Sequence, residues 1–189
     1  MERRDYLKLM AATLGAGIAL PSSVFAKIGE PFNPAEQTFF TAAERAQAAA
    51  LAEAIIPTTD TPGAIEAGVP GWIEVIDKDC FSEADQQVIK NGLAALSQAC
   101  QDEHGKKLAQ LPADQQVAFL TAYDQAAKAA AHQAGQNPRA TFLQQFKELT
   151  KFTYVNSELG ATKAFEFHMT PGKWIASMPL EPGQKAYSF

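Results

Sequence analysis

The chain has 189 residues with 16 basic and 21 acidic side chains, so its formal net charge at pH 7 is −5. Without the first 26 residues, 163 residues with 13 basic and 19 acidic side chains remain, which suffices for one compact domain. This negative balance argues against a nucleic-acid partner, because binding phosphates requires clustered positive charge. With no dinucleotide fingerprint, phosphate loop or closely spaced Cys or His ligands, the sequence predicts no catalytic, cofactor or metal site in this chain.

The first 26 residues resemble a twin-arginine export signal. Two arginines in the run ERRDYLK at residues 2–8 precede an apolar segment at residues 9–20. That segment is shorter than the roughly 20 residues of a membrane-spanning helix, so a removed signal is favoured over an anchor, with an ordinary secretory signal as the alternative. The residues assigned to the signal and its cleavage position are Arg3, Arg4, Leu7, Lys8 and Ala26. Because twin-arginine signals export folded proteins, we expect a periplasmic protein that uses the twin-arginine translocase.

The rest of the chain predicts an all-α domain of five to six helices over residues 41–169, preceded by an extended arm over residues 27–40. Thr41 and Glu44 form a capping-box pattern that begins a first helix, Thr41 to Ile56, which Pro57 stops. Turn-forming residues occupy 58–68. A second helix opens at Pro70, and its predicted apolar side comprises Val69, Trp72, Ile73, Ile76 and Cys80.

Four further helices are predicted from apolar residues at helical spacing. The third begins at Ser82 and buries Ile89, Leu93, Leu96 and Cys100. The fourth follows Pro112, buries Val117, Leu120, Ala127 and Ala131, and ends at Gly135. The fifth starts at Asn137 and Pro138 and buries Phe142, Phe146, Leu149 and Thr153, flanked by Leu143 and Phe152, and a shorter sixth runs from Ser157 to His168.

Residues 170–189 form a predicted extended tail, rich in proline and glycine but also in apolar side chains. Such a tail would expose apolar surface unless it packed on its own helices or on a partner. The histidines His104, His132 and His168 are far apart in sequence and read as polar helix-end or packing residues. Cys80 and Cys100 are predicted to be buried free thiols; a bond from one of them to a partner is the second choice, and an intrachain disulfide would need a broken third helix.

Several runs of this sequence are similar to the gluconate 2-dehydrogenase subunit 3 family. The most specific is IIPTTDTPGA at residues 55–64, accompanied by FFTAAER at 39–45 and AGVP at 67–70. The shorter runs FKELT at 146–150, SELG at 157–160 and PGK at 171–173 continue the pattern. The resemblance therefore covers essentially all of the chain after the signal.

The resemblance implies a non-catalytic small subunit of a membrane-associated dehydrogenase. Its expected partner is a large FAD-binding flavoprotein of the glucose-methanol-choline type that oxidises sugars, polyols or sugar acids, with a c-type cytochrome commonly accepting the electrons. FAD is expected in that partner, which the small subunit would carry through the export pathway. Two alternatives stay open: an unrecognised periplasmic sugar oxidoreductase, and an independent helical binding protein.

The loop between the first two helices has two compatible interpretations. Its Asp, Thr, Pro and Gly residues could simply build an ordered turn, and the loop could also contact the partner. The residues proposed to bind the partner are Pro57, Thr58, Asp60, Thr61, Pro62, Gly63, Gly68, Val69, Pro70, Trp72, Pro171, Gly172, Trp174, Tyr187 and Phe189.

Overall fold

Five α-helices make up most of the part of the chain that the computed structural model describes, which is residues 32–170, 172 and 177–188. They are α1 (Ala42–Ile55), α2 (Val69–Cys80), α3 (Glu83–His104), α4 (Ala113–Gln133) and α5 (Phe142–Val155). Short 3-10 helices lie at Pro34–Glu36, Leu108–Gln110 and Pro138–Ala140. The predicted all-α fold is confirmed. All five export-signal residues lie outside the described residues, as do Pro171, Trp174 and Phe189.

Helix α1 begins at the predicted capping box. The Glu44 backbone N–H donates to Thr41 Oγ1 at 3.2 Å, and the Thr41 N–H donates to Glu44 Oε2 at 2.7 Å. Two backbone donors that the first helical turn leaves without carbonyl partners are thereby satisfied, which stabilises the helix by about 1 kcal/mol. The same helix buries Ala48, Leu51 and Ala52 against the core.

Helix α2 buries only part of the face that the sequence predicts: Val69 and Ile73 are buried, but Trp72 and Cys80 are not. Trp72 is 39% exposed and Cys80 is exposed, whereas Glu74 and Asp77 are fully buried. The prediction that Trp72 and Cys80 face the core was therefore wrong. Periodicity failed here because it assigns charged residues to the outside, and the tertiary structure places two carboxylates inside.

Helix α3 follows the prediction closely. The Ser82 side chain accepts from the Asp85 N–H at its start, and Ile89, Leu93, Leu96 and Cys100 are buried. Gly92 lies in the middle of this helix, where α3 meets α5. A Cβ atom there would lie 2.1 Å from Cγ of Phe142, so only glycine lets the α5 ring pack so close to the α3 backbone.

Two predicted features of α4 and α5 need correction. Val117 is 56% exposed, and Phe119, two residues further along the helix, is buried instead. Asn137 and Pro138 begin a separate 3-10 turn, in which the Asn137 side chain accepts from the Arg139 N–H, and α5 starts only at Phe142. Val117 was misplaced because alanine-rich segments carry a weak hydrophobic pattern, whereas Leu120 and Ala131 are buried as predicted.

The sixth predicted helix is shorter than expected. A π-helical turn, Gly160–Ala164, ends well before His168, and two short strands follow: β1 (Glu166–Phe167) and β2 (Tyr187–Ser188). They pair in parallel, with Glu166 beside Tyr187 and Phe167 beside Ser188. No described helix combines the length and apolar character needed to cross a membrane.

The core lies where α1, α2, α3 and α5 meet. From Pro34 onward the described residues form one compact unit. Side chains from all four helices are fully buried there: Leu51, Ile73, Ile89, Leu93, Leu143 and Phe146. The connection from α1 to α2 and the segment before α1 lie around this core, and they carry the polar contacts described next.

Candidate functional site

The loop between α1 and α2, residues 56–68, is held by one carboxylate. Glu53 Oε1 accepts from the Thr58 N–H at 3.0 Å and from its hydroxyl at 2.8 Å, and Oε2 accepts from the Ile65 N–H at 2.9 Å. Burial alone would raise the pKa of Glu53, but these hydrogen bonds outweigh it and the pKa lies below its usual value. The carboxylate thus ties both ends of the loop to the last turns of α1.

The middle of the loop is fixed from α5. The Tyr154 hydroxyl donates to the Pro62 carbonyl at 2.6 Å, across 92 residues of sequence. Gly63 lies beside this contact, and a Cβ there would be 2.3 Å from Thr58 Oγ1 and 2.4 Å from Glu53 Oε1. The glycine is therefore required by space, and the Asp-Thr-Pro-Gly run forms an ordered loop.

The structure divides the predicted partner-binding residues of this region by exposure. Gly63 and Val69 are buried and hold the loop and the start of α2, and Thr61, Pro62 and Pro70 are half-buried. The exposed members are Pro57, Thr58, Asp60, Gly68 and Trp72. Only these and the half-buried residues offer surface to a partner, and their role in binding stays a prediction.

The C-terminal tail presents apolar surface. Leu180 in the tail is 83% exposed, and Met178 and Tyr187 are also exposed; just before the tail, Met169 is 82% exposed and Phe167 is exposed. The His168 and Tyr187 rings meet edge to face at 5.0 Å between centroids, which positions the two strands relative to each other. Gly172 is exposed as well. The described part of the tail therefore leaves much of its apolar surface in solvent.

An ion pair between the buried Glu74 and the half-buried Arg45, which sequence reasoning missed, fixes the segment before α1. Arg45 Nε lies 2.9 Å from Glu74 Oε2, and Arg45 also donates to the carbonyls of Gln37 and Phe40. Glu74 Oε1 accepts from the Phe40 N–H at 2.8 Å. Burial alone would raise the pKa of Glu74, but the bonds from Arg45 and Phe40 hold it below the usual range.

Two further buried acids, Asp124 and Asp77, differ in the direction of their pKa shift. Asp124 on α4 accepts from Lys147 on α5 at 2.8 Å and from Lys128 at 2.9 Å, so these bonds outweigh burial and its pKa is lowered. Asp77 is fully buried with no hydrogen-bond partner for either oxygen in the described structure, and burial raises its pKa to about 7. One sequence signal could have found it: Val69, Ile73 and Asp77 share four-residue helical spacing.

The histidines and cysteines occupy unrelated places. His104 packs edge to face on Phe119 with 5.5 Å between ring centroids, and His132 and His168 are exposed. Both cysteines are free, so the predicted lack of an intrachain disulfide is confirmed, although Cys80 is exposed where a buried thiol was expected. Within the described residues no three His, Cys, Asp or Glu side chains are grouped as metal ligands would be.

A surface cleft of about 370 Å³ lies between α1, α3 and the 3-10 helix at Leu108–Gln110. Small side chains line it, among them Ala43, Ala50, Ala94 and Ser97, with Glu44 and Lys107 at its polar margin. Among the described residues, none of those proposed for partner binding lines this cleft.

A match to a protein-family model shows which family this chain belongs to. The family model described as gluconate 2-dehydrogenase subunit 3 matches residues 42–172, which span α1 to the start of the tail. The chain belongs to this family. No match is found among curated proteins or among solved structures. Membership in the gluconate 2-dehydrogenase subunit 3 family supports an accessory subunit of a dehydrogenase complex and implies a larger dehydrogenase partner.

Proposed function

We propose that this chain is the non-catalytic small subunit of a periplasmic, FAD-dependent sugar or sugar-acid dehydrogenase. The partner would be a large flavoprotein of the glucose-methanol-choline type that holds FAD, with a c-type cytochrome or another acceptor taking its electrons. The family match over residues 42–172 carries this proposal. The small subunit would stabilise the folded flavoprotein and take it through the twin-arginine translocase.

The sequence before residue 27 supports the export role. Arg3 and Arg4 form the twin-arginine pair, and the chain that follows carries no recognisable cofactor motif that would by itself require folding before export. A folded-protein signal on such a chain is accounted for if the cofactor is loaded into the partner. Export of both proteins would then depend on one signal.

The tail and the exposed half of the loop supply surface for that partner. Met169 and Leu180 are largely exposed, and apolar surface stabilises a complex by about 25 cal/mol per Å² when it is removed from water. Trp72 adds a large aromatic side chain near the loop, and tryptophan is enriched among residues that dominate interface energy. The loop at residues 56–68 and the apolar tail are therefore the proposed contacts with the large subunit.

The decisive experiment replaces Arg3 and Arg4 together by lysine and follows both subunits by cell fractionation. Both should stay in the cytoplasm, because the twin-arginine route requires the arginine pair. Arg139→Lys, an exposed arginine in the 3-10 turn before α5, serves as the control and should leave export unchanged. A flavoprotein that still reaches the periplasm while this subunit is retained would refute the carrier role.

The absence of catalysis in this chain is tested separately. Alanine variants of Glu103, His104 and His132 should assemble and keep the rate per bound flavin, since these residues are proposed to have no part in turnover. A rate that falls about a hundredfold in an assembled variant, close to 3 kcal/mol of transition-state stabilisation, would assign a catalytic role to that residue. Sugar oxidation by the isolated chain with an artificial acceptor would favour the oxidoreductase alternative.

A further inference from the structure

Asp77 on α2 is a buried acid without a partner. Its side chain is fully buried, and neither Oδ1 nor Oδ2 has a hydrogen-bond partner within the described structure. Glu74, one turn earlier on the same helix, is equally buried but is bonded to Arg45 and to the Phe40 N–H. A carboxyl group in the position of Asp77 favours its neutral form, because the ionised form would be both desolvated and unpaired.

The elements that pack against α2 carry several charged groups. From α3, Lys90 favours the ionised form of Asp77 and Asp85 opposes it. Arg45 on α1 is engaged with Glu74, and Glu36 belongs to the 3-10 turn that precedes α1. On α5, Lys147 pairs with Asp124, and Glu148 pairs with Lys151. Lys90 is therefore the cation whose charge acts on Asp77.

Lys90 holds the chain segment before α1 and makes no ion pair with Asp77. Its ammonium donates to the Phe39 carbonyl at 3.4 Å and lies 3.7 Å from the centroid of the Phe39 ring. A cation over an aromatic face is attracted by about 0.5–2 kcal/mol, depending on its exposure. The long hydrogen bond and this ring contact are both weak, so a new negative charge near Lys90 can compete with them.

We propose that Asp77 and Lys90 form a charge-dependent latch on residues 37–40. With Asp77 neutral, Lys90 stays on Phe39 and the segment is held by Lys90 as well as by Arg45 and Glu74. When Asp77 loses its proton, its carboxylate draws the Lys90 ammonium inward, and Phe39 loses both contacts. The Arg45–Glu74 pair stays formed in either state, so loss of the Lys90 contacts loosens the segment without releasing it.

The sign of the pH dependence follows from the buried acid. Burial raises the pKa of Asp77 to about 7, so the neutral, latched form predominates at pH 6 and the ionised form at pH 8. Residues 37–40 are thus expected to be held more tightly at the lower pH.

Hydrogen exchange measured on the complete chain at pH 6 and pH 8 tests the latch. After correction for the intrinsic pH dependence of exchange, peptides covering residues 37–41 should lose protection on the order of tenfold at pH 8, which corresponds to about 1.4 kcal/mol of local opening. Peptides covering α5 should keep their protection. An unchanged segment would overturn the proposal, and so would an equal loss in α5, which would indicate global destabilisation.

Three variants separate the latch from other titrations. Asp77→Asn should give similar protection at both pH values, whereas Asp79→Asn, an exposed acid two residues further along α2, should keep the wild-type difference. Lys90→Gln should lower the protection of the segment at both pH values. If Asp77→Asn does not fold, the wild-type and Lys90→Gln measurements still decide, because a pH difference that persists without Lys90 contradicts the proposal.

Discussion

The loop at residues 56–68 and the tail at residues 177–188 are both irregular, but different forces order them. The loop has three hydrogen bonds from its backbone and hydroxyl groups to Glu53 and one from Tyr154, two side chains that belong to the helices. The tail relies on a two-residue parallel strand pair and leaves Leu180 83% exposed. The loop is therefore stabilised within this subunit, and the tail has apolar surface left to bury elsewhere.

The loop is therefore expected to affect the stability of this subunit, and the tail its assembly with the large subunit. Changes in the loop should lower the free energy of unfolding of the subunit, because the loop would lose its hydrogen bonds to Glu53 and Tyr154. Changes to exposed apolar residues in the tail should barely alter that free energy, because their side chains are already in water. Their effect should instead appear in binding to the large subunit. Four predictions follow this division, and the largest concerns assembly.

Replacing Met169 and Leu180 together by serine should weaken the complex by about 3 kcal/mol, roughly a hundredfold in Kd, if both side chains are buried against the large subunit. The free energy of unfolding of the small subunit should change by less than about 0.5 kcal/mol. Affinity is measured with purified subunits and unfolding with urea. Val117→Ser, which removes an exposed apolar residue from α4, is the control and should affect neither quantity. Undiminished affinity of the double variant would exclude Met169 and Leu180 as contacts.

Gly63→Ala should destabilise the subunit by about 2–3 kcal/mol, because the added methyl group would overlap Thr58 and Glu53 and force the loop to move. Urea unfolding of the isolated subunit measures the effect. Gly172→Ala is the matched control, since a Cβ there meets no atom within 4 Å. Equal unfolding midpoints for the two variants would show that the loop yields without cost.

Glu53→Gln should cost about 2 kcal/mol at pH 7, because an amide cannot accept from all the donors that the carboxylate satisfies. The pKa of Glu53 is lowered in the folded state, so its contribution is present above the unfolded value of about 4.3 and is lost as the pH falls through the folded value. The difference between wild type and variant should thus shrink from pH 7 to pH 3. Glu66→Gln, exposed in the same loop, is the control; a difference that does not depend on pH would contradict this role of the Glu53 charge.

Tyr154→Phe should have the smallest effect, about 1 kcal/mol, because it removes one hydroxyl and leaves the Pro62 carbonyl without that donor. Thermal unfolding of the isolated subunit is the measurement. Tyr187→Phe, whose hydroxyl is 3.4 Å from Gln184 Nε2, should change stability much less. If the two variants lost equal stability, the loop would not depend on its contact with α5.

Local patterns were reliable where the physical cause is local. The capping box of Thr41 and Glu44, the cap at Ser82 and the buried stripe of α3 all involve residues within a few positions of one another. The alanine-rich α4 was harder, because alanines on every side weaken the apolar periodicity, and Val117 was placed on the wrong face. The Asp-Thr-Pro-Gly run indicated an ordered turn but did not reveal Glu53 or Tyr154, the groups that hold it.

By itself, the sequence determined the all-α class, most helix boundaries and the family, because these depend on short-range periodicity, capping and contiguous motifs. Only the tertiary structure decided which polar side chains lie inside. Phe40 meets Glu74 across 34 residues, and Tyr154 meets Pro62 across 92. Aspartate is usually found on the surface, yet Asp77 lies in the interior because the helices that pack around α2 bury it. No local pattern encodes such contacts, because their partners become neighbours only when the helices pack.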